Sequence, residues 1–146
     1  MAYRPHPFTP PPYTDRMTEY DDTSPYRLAI TVATRYLPAD SQPDGDRYAF
    51  AYTIHIRNDG AVPARLLGRH WIITDGSGEV REVEGEGVVG EQPWLRPGED
   101  FVYTSGAVLP TPVGSMHGRY RMLADDGTHF DAPIPAFTLC VPHSLH

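Results

Sequence analysis

From Tyr26 onward, apolar residues recur at every second position. Tyr26, Leu28, Ile30, Val32, Thr34 and Tyr36 alternate with smaller or polar partners, and Tyr48, Phe50, Tyr52, Ile54 and Ile56 do the same. Successive side chains of a strand point to opposite faces, so this alternation of β-branched and aromatic residues predicts pleated strands with one buried face. Further strands are predicted at 67–75, 80–85, 101–108, 117–124 and 129–139, which makes seven. Turn pairs punctuate them: Asp44-Gly45, Asp59-Gly60, Asp75-Gly76, Pro97-Gly98 and Asp126-Gly127. Gly accepts positive φ and Asp bonds its own backbone, so such pairs reverse the chain. No stretch keeps apolar residues at i, i+3, i+4 and i+7 for three turns, so helix should be almost absent. The expected fold class is all-β, an immunoglobulin-like or fibronectin type III-like sandwich of seven to eight antiparallel strands. Pro133 and Pro135 cannot donate to a ladder, so part of the last strand should lie at a sheet edge or a bulge.

Residues 1–24 break this pattern. Prolines at 5, 7 and 10–12 are followed by Glu19, Asp21 and Asp22, with too few apolar side chains to offset the entropy of ordering. The expected organisation is a flexible Pro-rich and acidic leader over 1–24 and one domain over 25–146, with Met17 as an alternative start and a proline-rich docking peptide as the sharper reading of the leader. The 146 residues suffice for one core. Lone Cys140 excludes a disulfide scaffold, and no apolar run approaches the roughly 18 residues of a membrane span. The expected location is the cytoplasm. All 12 basic residues are Arg, which removes Schiff-base chemistry and a P-loop lysine. A net charge of -7 without a basic block argues against nucleic acid as the partner.

One segment has the look of a motif. Gly85-Glu86-Gly87-Val88-Val89-Gly90 matches G-x-G-x-x-G, which in a dinucleotide fold works because a helix starts there and presents free N–H groups. Here Pro93 and Pro97 follow closely and forbid that helix. What survives is a glycine loop aiming amides at pyrophosphate or a nucleotide polyphosphate, with Arg69, Arg81 or Arg96 adding charge and Glu84, Glu86 and Glu91 opposing it. The candidate residues of that site are Gly85, Gly87, Gly90, Arg69 and Arg96. The structural reading of the same glycines is a tight turn, a bulge and a close backbone crossing.

Arg69-His70-Trp71 reads either as a binding patch or as a buried Trp beside a hydrogen-bonded His. His55, His70, His117 and His129 sit on separate strands without ligand spacing, so no metal and no cofactor is expected. Ser105 and Ser115 lack the glycine two residues before that a nucleophile elbow requires, and Asp125-Asp126 belongs to a turn, so no catalytic set is expected either.

Several runs together resemble the bacterial ApaG family, also called CorD. They are Tyr48-Ala49-Phe50-Ala51-Tyr52-Thr53-Ile54, Leu66 to Asp75, Gly85 to Pro93, Tyr103-Thr104-Ser105-Gly106, Thr111 to Met116 and Ile134-Pro135-Ala136-Phe137. The resemblance covers about residue 25 to His146. It implies a fibronectin type III-like sandwich, an association with cobalt resistance and magnesium efflux, and a glycine motif discussed as a pyrophosphate site. Similar domains in F-box proteins and in a partner of DNA polymerase delta resemble interaction modules, and the resemblance carries over no catalytic residue. The functional expectation is a non-enzymatic module, monomeric or weakly dimeric, that binds a protein partner. Its alternative is a phosphate-containing small molecule at the glycine loop, and a third reading places cobalt or magnesium at His70, His117 or His129.

Overall fold

The computed structural model describes residues 23–142 and, as backbone alone, the pair Ala2–Tyr3. Apart from that pair and residues 23–24, the predicted leader lies outside the described residues. The strands in chain order are β1 (Ala2–Tyr3), β2 (Leu28–Tyr36), β3 (Tyr48–Asn58), β4 (Ala64–Asp75), β5 (Val80–Glu86), β6 (Trp94–Leu95), β7 (Asp100–Leu109), β8 (Val113–Ala124) and β9 (His129–Cys140). All seven strands read from the alternation form. The described residues contain no α-helix; short 3-10 turns stand at Pro38–Asp40 and Pro43–Gly45. The additions, β1 and β6, are two residues each and too short to show a period.

Two antiparallel sheets face each other. One has the order β1-β2-β3-β7; the other runs β5-β4-β8-β9, with β6 pairing β4 beside β5. Between them lie the inward residues of the alternating runs, including Val32, Phe50, Ile54, Ile56, Leu66, Met122 and Leu139. Burying each such side chain contributes about 1.5–3 kcal/mol. Tyr52, Trp71 and Phe137 form an aromatic triangle with ring centroids 5.5–5.8 Å apart. The hydroxyls of Tyr103 and Tyr120 bond each other at 2.6 Å across the dry layer, which satisfies two polar atoms that water cannot reach.

A buried amide closes one end. Asn58, only 2% exposed, donates through Nδ2 to Val62 O and Leu95 O at 3.0 and 2.9 Å, and its Oδ1 accepts from the Gly60 N–H. Those bonds tie the β3–β4 turn to β6.

Two irregularities shape the second sheet. The β8–β9 register slips between Met116 and Gly118, where β9 carries an extra residue at Pro135-Ala136. That places the prolines on an edge strand with a bulge, as their missing N–H requires. The β4–β8 register slips between Leu66 and Gly68, so β4 carries an extra residue at Leu67. This bulge lets Leu66 and Trp71, an odd number of residues apart, both point inward. It therefore turns Arg69 inward with Trp71 and leaves His70 on the outer face.

Candidate functional site

The glycine segment is a β-turn that seals the bulge. The Leu67 carbonyl, displaced from the ladder, accepts from the Gly87 N–H at 2.8 Å and from Gln92 Nε2 at 2.9 Å. Val88 and Glu91 then exchange N–H to O bonds of 2.8 and 2.9 Å. The two residues between them, Val89 and Gly90, have φ of 42° and 81°, the tight hairpin form that suits right-twisted strands. Val88 is fully buried, while Val89 is 55% exposed at the tip. The amides of Gly87, Val88 and Glu91 are thus committed to carbonyls.

Gly85 serves a close approach. It pairs with Arg69, and a Cβ there would lie 2.5 Å from Arg69 Nη1, so its absence lets the guanidinium fold across β5. Arg69 Nη1 donates to Glu86 O and Gly87 O, both at 3.0 Å. The structure therefore brings Arg69, Gly85 and Gly87 together, with Gly90 at the tip of the same turn. Arg96 is engaged elsewhere. It follows β6 and pairs with Glu99 at 2.7 Å, a contact that raises the guanidinium pKa and lowers that of the carboxyl.

Arg69 and His70 do not form one patch. His70 lies on the outer face, 2.9 Å from Glu82 Oε1, opposite Arg119. His117 lies opposite Ile72 and His129 opposite Leu123. Among the described residues no three His, Cys, Asp or Glu side chains gather as a metal site. Asp125 accepts from Trp94 Nε1 at 2.8 Å, and Asp126 accepts from the Tyr26 hydroxyl at 2.6 Å. That hydroxyl is the main cause of the lowered Asp126 pKa.

What sequence reading missed is a groove on the side of the sandwich where β5 and β7 end their respective sheets. Tyr52, Trp71 and Met116 form its floor, Arg69, Arg81 and Val83 come from the second sheet, and Ser105 to Val108 from the first. Its volume is about 270 Å³, and no Asp or Glu is among the residues lining it. Past Arg81 lies a second depression that does carry acids, Asp75 and Glu79. The Tyr52 hydroxyl bonds the Ser105 side chain; burial raises its pKa against the smaller opposing pull of that bond and of the Arg69 charge. Burial likewise pushes up the hydroxyls of Tyr103 and Tyr120, so these phenols stay neutral while the guanidinium supplies the charge.

Ladder phase decides which β7 amides are free. The Asn58 N–H donates to Glu99 O at 3.0 Å, and in an antiparallel ladder alternate residues bond the same neighbour. Along the unbroken β3–β7 register, Phe101, Tyr103, Ser105 and Ala107 therefore bond β3, and Val102, Thr104, Gly106 and Val108 turn their N–H and C=O outward. Arg81 Nη2 donates to Val108 O at 3.3 Å, in keeping with that phase. The matching phase in β5 turns Val80, Glu82, Glu84 and Glu86 outward.

Sheet edges are normally blunted by charge, proline or cover. β5 has its three glutamates. β9 has Pro133 and Pro135, and β2 is paired by β1 and packed near β9. β7 carries one charge at the start of its edge, Asp100, which is paired with His55; its outward-turned residues from Val102 to Val108 are uncharged, with Val102 56% and Val108 37% exposed.

The ApaG domain model matches residues 38–124, more than half of the chain. The chain belongs to the ApaG family. It is 62% identical over 125 residues to Protein ApaG of Xanthomonas euvesicatoria pv. vesicatoria, covering 86% of this chain and 98% of that protein. It is 60% identical over 121 residues to Protein ApaG of an Azoarcus species, covering 83% and 95%. The crystal structure of a Bordetella pertussis protein designated ApaA superposes with a TM-score of 0.79 at 51% identity, over 82% of this chain and 98% of that one. The matched family segment, β3 through β8, contains the glycine turn, Arg69, Arg81 and the whole of β7. No helix among the described residues is long and apolar enough to cross a membrane.

Proposed function

We propose that this ApaG chain is a non-enzymatic binding module of the cytoplasm that receives a strand of a protein partner along the free edge of β7. One observation supports the reading: β7 is long, uncharged along its outward-turned residues from Val102 to Val108 and, among the described residues, unpaired on one side, while the other edges are guarded. Main-chain bonds to an added strand would supply affinity, and alternate side chains entering the groove would supply selectivity. The association with cobalt resistance and magnesium efflux that membership suggests is then exercised through the partner, with no ion held by this chain.

The test is site-specific photocrosslinking in cells. A photoreactive residue at Thr104, on the free edge, should give one dominant adduct; the same residue at Thr31, on β2, should not. Equal labelling from both positions, or an adduct from Thr31 alone, would refute the edge as the docking surface.

The anion reading of the glycine turn keeps one supporting observation, the amides of Val89 and Gly90 at its tip. Its test is an amide-shift titration with pyrophosphate, in which unmoved Val89 and Gly90 signals at millimolar ligand end it.

A further inference from the structure

We infer that the strand received at β7 is acidic, with carboxylates at positions i and i+4 held by Arg69 and Arg81 and an apolar residue at i+2 on the aromatic floor. This deepens the β7-edge reading and rests on it.

Spacing comes first. On β5, Gly85 stands opposite Arg69, and Arg81 is four residues away from it along the same strand. Four strand residues span about 13 Å, the distance between same-face positions i and i+4 of an added strand. Between the two arginines lie Trp71 and Val83, which are paired with each other and line the groove. An inward-facing pattern of carboxylate, apolar and carboxylate therefore matches the groove position by position.

Charge sets the sign. In a chain of net charge -7, a groove holding two guanidiniums and no carboxylate is a local reversal. Arginine carries five N–H donors in a planar fork, so Arg69 can hold Glu86 O and Gly87 O and still meet a carboxylate. The overall negative charge also means that acidic segments are not collected non-specifically.

A second copy of this chain is the poorer occupant. Edge to edge, another β7 would turn Phe101, Tyr103, Ser105 and Ala107 toward the groove, none of which answers an arginine.

Arg81 fits a further role as placeholder. In the free protein its guanidinium occupies Val108 O at 3.3 Å, a long bond to a carbonyl that an added strand needs. An incoming N–H replaces it there, and the released guanidinium turns to the carboxylate. The exchange keeps both polar groups satisfied before and after binding.

The test is fluorescence anisotropy with the full chain and a capped, labelled peptide, Thr-Glu-Thr-Val-Thr-Glu-Thr. Its Gln-for-Glu counterpart should bind at least about tenfold more weakly, as expected for losing charge-assisted bonds. Arg81→Gln should reduce that preference to within about threefold, since it removes one of the two cations and leaves β7 intact. Equal affinity for the two peptides would overturn the acidic inference while leaving the edge reading in place. A version methylated on alternate backbone nitrogens should not bind; if it binds as well as the parent, the edge reading itself fails. No saturation by the acidic or the Gln peptide at millimolar concentration overturns both.

Discussion

Replacing Gly87 by Ala tests whether the glycine turn is built for the fold. Gly87 has φ of 63°, a left-handed conformation that costs an L residue about 1–2 kcal/mol. An added Cβ would also lie 2.5 Å from Glu91 O, a backbone atom already accepting from the Val88 N–H at 2.8 Å. That carbonyl can move only by weakening its bond, worth roughly 0.5–1.5 kcal/mol. The two effects sum to about 3 kcal/mol for Gly87→Ala. Gly90→Ala is the internal control, because φ is 81° there but nothing lies within 4 Å of the new Cβ. It should cost only the conformational part, about 1–2 kcal/mol. Urea unfolding of both variants, followed by Trp fluorescence, measures the difference. In a domain of this size each kcal/mol moves Tm by roughly 4 °C, so scanning calorimetry should give the same order. Equal losses, or a larger loss at Gly90, would refute the seal between the turn and the Leu67 bulge.

Three further outcomes follow from the geometry. Asn58→Ala strands the Val62 and Leu95 carbonyls and the Gly60 N–H in a site 2% exposed, so chemical denaturation should show a loss of about 3 kcal/mol or more. Val89→Asn should stabilise by about 1 kcal/mol, because a half-exposed β-branched residue at φ of 42° gives way to one that tolerates that region; an unchanged or lower Tm contradicts the strain. Stability should fall as pH rises past about 10, where tyrosines of the unfolded chain ionise while burial holds Tyr52, Tyr103 and Tyr120 protonated in the native state. No lysine confuses that titration, and Tyr120→Phe should flatten the alkaline slope of the unfolding free energy.

The strands were legible because one buried face imposes a period of two, which Tyr48 to Ile56 shows without interruption. The turn pairs and the prolines of β9 were legible for an equally local reason. Inside β4, the odd spacing of Leu66 and Trp71 was the available sign of a bulge, since both cannot face inward in a regular strand. That sign is faint because two periodic stretches joined by one extra residue look like a single strand. The groove has no local signature at all. It is assembled from Arg69 on β4, Arg81 on β5 and Ser105 on β7, and only the stacking of two sheets brings them together. Arg69 was singled out, but for the glycine loop; Gly85 is small so that this side chain can cross it. Arg96 lies only a few residues from the glycine loop in sequence, but its partner is Glu99.

The most direct measurement on the central claim is amide hydrogen exchange along β7, resolved by NMR. An open edge predicts alternation: Val102, Thr104, Gly106 and Val108 exchange quickly, while Phe101, Tyr103, Ser105 and Ala107 are protected by β3. Uniform protection of both sets would mean that the edge is already covered, and would contradict the account.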